Sequence, residues 1–104
     1  MPPAEFSPDF DIDSGWRLHP QVAVRPEPFG ALLYHFGSRR LSFLKDAALT
    51  DAVRALPEHP TARAACVAAG LVDDLSDPVP ADVVSALETL ARTGMIEPMI
   101  EPAG

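Results

Sequence analysis

The chain has 104 residues, 47% of them hydrophobic, and a formal net charge of −7 from 8 basic and 15 acidic side chains. That length suits one small domain, and the apolar content is too high for a disordered protein at this charge. The charge is unevenly placed: residues 1–45 hold five acidic and five basic side chains, and residues 46–104 hold ten acidic against three basic, Arg54, Arg63 and Arg92. An acidic C-terminal half repels phosphates, which argues against nucleic acid as a partner.

Residues 1–15, MPPAEFSPDFDIDSG, are rich in Pro, Asp and Ser and show no period, so a flexible N-terminal tail is expected. The first strand is expected over Arg17 to Arg25, where Leu18, Val22 and Val24 share a face by alternation. Pro20 removes a ladder donor and suits an edge or a bulge there. A second strand follows over Ala31 to Phe36 and a third over Arg39 to Lys45. A two-residue Gly37-Ser38 turn pairs His35 with Arg40, Tyr34 with Leu41, Leu33 with Ser42 and Leu32 with Phe43. A four-residue loop over 37–40 also keeps the apolar pairing. Leu32, Tyr34, Leu41 and Phe43 then form one apolar face, expected toward the core, and Leu33, His35, Arg40 and Ser42 the face toward solvent.

The rest reads as helical. Asp46 is a good N-cap, and Leu49, Ala52, Val53 and Leu56 follow the i, i+3, i+4, i+7 spacing of one helix face, ended by Pro57. A second helix starts near Pro60 or Thr61, with a narrow stripe of Ala62, Ala65, Cys66 and Ala69, and stops at Gly70. A third runs from Pro80 to Thr93, with Val83, Val84, Leu87, Leu90 and Ala91 as its stripe and Gly94 after its end. Met95 and Ile96 are expected to fold back on the core, and residues 98–104 to form a C-terminal tail. The order predicts an α+β domain over 16–97: a three-stranded antiparallel sheet followed by a three-helix cluster.

Catalytic chemistry is hard to find. One cysteine, Cys66, allows no internal disulfide. It reads as a small buried hydrophobe and fits a reducing, cytoplasmic setting. His19, His35 and His59 have no metal-ligand spacing with it. Phosphate-binding glycine loops and the nucleophile elbow of hydrolases are absent. No stretch approaches the ~18–20 continuous apolar residues of a membrane span, and no secretion signal stands at the start. These features predict a non-enzymatic protein with no metal or cofactor. The third strand suggests another use. Nothing after it in the chain is patterned to cover it, and a strand edge with unpaired N–H and C=O groups accepts another strand. Arg39 and Arg40 either guard that edge against aggregation or steer an acidic peptide to it.

The run WRLHPQVAVRPEPFGALLYHFG at 16–37, followed by RRLSFLK at 39–45, closely resembles the mycofactocin precursor-peptide chaperone family. That family belongs to the wider group of peptide-recognition elements that includes the peptide chaperone of pyrroloquinoline quinone synthesis. The likeness continues more loosely through the helices to about Ile96. It implies a winged-helix-like fold whose members bind the leader of a ribosomally made precursor peptide by strand addition and present it to a radical S-adenosylmethionine maturase. Carried onto this chain, it implies a peptide-binding site made of Arg39, Arg40, Leu41, Ser42, Phe43 and Leu44 in the third strand and Val84, Leu87 and Ala91 in the third helix. The run of cysteines that holds the maturase's iron–sulfur cluster is not in this chain. A winged-helix DNA-binding regulator is the alternative reading of the same architecture, but the third helix offers only Arg92 to bases. Monomer and dimer both remain open, because an exposed edge can pair.

Overall fold

The computed structural model describes residues 10–99. Its elements in order are β1 (Trp16–Leu18), β2 (Val22–Glu27), β3 (Gly30–His35), β4 (Arg40–Leu44), α1 (Ala47–Ala55), a 3₁₀ turn (Leu56–Glu58), α2 (Ala62–Ala68), α3 (Ala81–Arg92) and β5 (Ile96–Pro98). The fold is α+β. Strands β2, β3 and β4 make an antiparallel sheet in that order, and β1 pairs with β5 in a separate two-stranded ribbon.

The expected first strand is therefore two strands with different partners. Between them Pro20 sits in a turn, His19 N–H donates to the Met95 carbonyl (2.9 Å) and Val22 N–H to the His19 carbonyl (2.9 Å). A residue without an N–H suits the point where the chain leaves one ladder for another.

The β3–β4 register is the expected one, with His35 opposite Arg40, Tyr34 opposite Leu41, Leu33 opposite Ser42 and Leu32 opposite Phe43. The loop is not a two-residue turn. It spans 36–39, with Arg39 in the left-handed region (φ 61) and its N–H donating to the His35 carbonyl at 2.7 Å. The His35 side chain stabilises this wider loop, because its Nδ1 accepts from the Gly37 and Ser38 amides at 3.0 and 3.1 Å.

The two faces of the hairpin are exchanged relative to expectation. Ala31, Leu33, His35 and Leu44 are buried, while Leu41 and Phe43 are exposed and Leu32 and Tyr34 half-buried. The reason lies in β2. Its pairing sets Val22 opposite His35 and Val24 opposite Leu33, so the valines join the Leu33 face, and Ala23, Arg25 and Glu27 lie on the other. A hairpin with two apolar faces follows the strand beside it.

Gly30 opens β3 where the backbone runs closest to β4. Its φ is +151, and a Cβ there would overlap the Leu44 carbonyl. Gly30→Ala should destabilise the domain by about 2–4 kcal/mol through strain and displacement of β4, read as a lower midpoint in urea unfolding at unchanged slope.

The helices form largely where the pattern puts them. The Asp46 carboxylate accepts from the Ala48 and Leu49 amides (2.8 and 3.3 Å) and starts α1, whose Leu49, Ala52 and Val53, with Leu56 just beyond, are buried. Thr61 caps α2 through the Ala64 amide at 3.1 Å. Gly94 takes φ +79 and lets the Met95 N–H reach the Leu90 carbonyl at 2.8 Å, turning the chain from α3 into β5. Met95 and Ile96 fold back into the core as expected, both almost fully buried.

Residues 10–15 pack with the domain, although the composition predicts a loose tail over 1–15; residues 1–9 lie outside the described residues. The Trp16 indole N–H donates to the Asp11 carbonyl (2.9 Å), and the Phe10 ring lies 5.0 Å from the Trp16 ring. The Ser14 and Ile12 carbonyls accept from the Ala62 and Arg63 amides (both 2.9 Å), satisfying first-turn donors of α2 that have no partner in the helix. Arg63 also pairs with Asp13 at 2.8 Å, and this hydrogen bond holds the Asp13 carboxyl below its ordinary range. At the other end Pro98 is paired in β5 and the Met99 N–H donates to the Gly15 carbonyl at 3.0 Å, so residues 98 and 99 of the expected 98–104 tail are held to the domain. Residues 100–104 lie outside the described residues.

Candidate functional site

Strand β4 ends the sheet order β2-β3-β4, so among the described residues only one of its edges has a strand partner. Between β4 and α3 lies an open cleft of about 430 Å³. Ser42, Phe43 and Leu44 line it from β4, Leu49 from α1, and Val83, Ala86 and Leu90 from α3. Lys45, Asp46, Asp82 and Thr89 supply its polar groups. Three of these four are engaged close to home: Asp46 caps α1, Asp82 Oδ1 accepts from the Val83 amide (3.1 Å) and the Thr89 hydroxyl donates to the Ser85 carbonyl (3.0 Å). The cleft thus offers an apolar lining beside a row of backbone groups, the combination that accepts an extended peptide.

Of the expected site residues, Ser42, Phe43 and Leu44 line the cleft. Arg40 stands exposed at the start of β4 and Arg39 exposed in the turn before it. Leu41 lies on the outer sheet face, 57% exposed. On α3 the cleft-facing side is Val83, Ala86 and Leu90; Leu87 is completely buried and Ala91 nearly so, both in the core, and Val84 is half-buried outside the lining. Leu49, Val83, Ala86 and Leu90 are apolar lining residues that sequence reasoning did not assign to this role. One signal was present: Val83, Val84, Ala86, Leu87, Leu90 and Ala91 form a stripe wider than a single helix contact needs.

His35 Nδ1 already accepts two turn amides, so it is not free to activate Ser42. Burial pushes the Cys66 thiol up from its ordinary value and makes it a core side chain. Among the described residues no group of three or more His, Cys, Asp or Glu could hold a metal ion, and no helix is long and apolar enough to cross a membrane.

The model of the peptide chaperone MftB family matches residues 15–97, from β1 through α3 into β5. The chain belongs to this family. Three curated proteins named peptide chaperone MftB are similar to it over most of their length. The one from Mycobacterium tuberculosis is 54% identical over 92 residues, covering 88% of this chain and 81% of the relative. The one from Mycobacterium ulcerans is 56% identical over 89 residues (86% and 78%), and the one from Mycolicibacterium smegmatis 54% over 89 residues (86% and 83%). No solved structure matches significantly. Membership of the MftB family is membership of a chaperone family, a non-enzymatic one. The matched region contains both walls of the β4–α3 cleft.

Proposed function

We propose that the protein is a peptide chaperone that binds the leader of the mycofactocin precursor peptide as an added strand on β4, within the β4–α3 cleft. It presents the rest of that peptide to a radical S-adenosylmethionine maturase in the cytoplasm. The observation that carries this reading is the coincidence of an edge strand, without a second strand partner among the described residues, and an apolar cleft running beside it.

The energetics divide into two parts. Strand β4 is five residues long, so an added strand gains roughly four or five backbone hydrogen bonds at ~0.5–1.5 kcal/mol each. That falls short of the ~8 kcal/mol of a micromolar complex, and it is blind to sequence. Side chains must supply the remainder. Alternate residues of the leader point into the cleft against Val83, Ala86 and Leu90, where burial contributes ~25 cal/mol per Å². Arg40 at the head of the edge favours an acidic residue in the leader. Holding the leader beside the maturase raises the local concentration of the modifiable end to about millimolar and lowers the entropic cost of encounter.

Titration of the ¹⁵N-labelled protein with the precursor peptide should shift amides of residues 40–45 and 82–90. Shifts confined to α2 or to the β1–β5 ribbon would place the peptide elsewhere and overturn this reading.

A further inference from the structure

The sheet carries a second apolar surface, which shares only Phe43 with the cleft lining. On the face turned away from the core, Leu41 stands opposite Tyr34 and Phe43 opposite Leu32. Phe29 and Phe36 extend the patch: Phe29 lies 6.2 Å from the Phe43 ring and Phe36 meets Tyr34 edge-on at 5.1 Å. Phe29, Phe36, Leu41 and Phe43 are between 48% and 59% exposed. Single exposed apolar residues are ordinary, but a contiguous aromatic cluster on a small domain marks an interaction surface.

Its border indicates what covers it. Arg25 lies on this face opposite Leu32, and Arg39 stands exposed in the 36–39 turn that also carries Phe36. The acid on the β2 part of this face, Glu27, is already paired with Arg25 at 3.3 Å. Arg25 thus offsets Glu27, and among the described residues Arg39 is the cation left over at this border of a chain with net charge −7. A second copy is a poor occupant, because two-fold docking joins two strongly acidic molecules. Nor does either end of the described chain lie here, since Phe10 packs on Trp16 and the Met99 amide bonds to Gly15.

We propose that the outer face of the β2-β3-β4 sheet docks a different protein, one presenting an apolar patch bordered by carboxylates, and that this protein is the enzyme that receives the cleft-bound peptide. The identity of the occupant rests on the function proposed above; the existence of the surface does not. Phe43 both lines the cleft and lies on the outer face. A protein held there therefore stands within about one strand spacing, ~5 Å, of the bound leader. The two partners use opposite sides of β4 and do not compete.

The test is calorimetry of Phe29→Asp and Phe36→Asp against the maturase and, separately, against the precursor peptide, with circular dichroism to verify the fold. Both side chains are exposed, so both variants should melt like the wild type. Maturase affinity should fall at least tenfold and peptide affinity change less than twofold. Wild-type affinity for the maturase should also weaken between about 50 and 300 mM salt. Unchanged maturase affinity would overturn the proposal, as would equal losses for both partners. So would a wild-type dimer, seen by sedimentation, that Phe36→Asp dissociates. If the wild type binds peptide without amide shifts at 82–90, the cleft reading fails instead, whatever the outer-face variants do.

Discussion

Ala86→Glu should leave the fold intact and weaken binding of the precursor peptide by roughly thirty- to a thousandfold, about 2–4 kcal/mol. Ala86 lines the β4–α3 cleft and is half-buried. A glutamate there fills space that the leader's side chains would occupy. Its carboxylate is also desolvated when the peptide covers it, a cost of several kcal/mol for an unpaired charge, reduced where the side chain can reach solvent. Glutamate has good helix propensity, so α3 should tolerate it and the melting temperature should move only a few degrees. Calorimetry with the peptide reads the affinity and a thermal melt reads the fold. A stable variant that binds like the wild type would remove the leader from the cleft.

Trp16→Ala should be the most damaging single core change, destabilising the domain by about 3–5 kcal/mol. The ring is 1% exposed, stacks near Phe10, and donates its indole N–H to the Asp11 carbonyl. It also belongs to β1, which holds β5 and so the chain that leaves α3. Truncation opens a cavity where the N-terminal segment, the β1–β5 ribbon and the helices meet. At about 4–8 °C per kcal/mol for a domain near this size, the midpoint should fall by about 12–40 °C. Scanning calorimetry checks this. Because a small domain has only ~5–15 kcal/mol in total, much of the variant should be unfolded near body temperature. Residues 10–15 should become protease-sensitive in the fraction that remains folded.

Much of this protein is written in short-range pattern. Asp46 before an i, i+3, i+4, i+7 run determines where α1 starts and which side of it is buried, because capping and helical period act over a few residues. The hairpin register follows from Gly37-Ser38 and from matching Tyr34 with Leu41, although the loop itself widened once His35 accepted the turn amides. The edge position of β4 was also legible, since nothing later in the chain reads as a strand able to cover it.

Other features depend on elements far apart in sequence. The β1–β5 pairing brings Arg17 to Glu97, 80 residues away, at 2.7 Å, and no local pattern announces it. Likewise, the hairpin has two apolar faces, and alternation alone cannot say which one is covered. Strand β2 decided it by aligning Val22 and Val24 with Leu33 and His35, leaving Leu41 and Phe43 outside. On α3 the stripe was visible, but its division was not: the core took Leu87 and Ala91, and the cleft took Val83, Ala86 and Leu90. The sequence by itself determined the three helices, the β3–β4 register and the family. Only the tertiary structure decided which apolar faces are core, cleft or free surface, because burial is a property of the whole packed domain, whereas element type is set by neighbours along the chain.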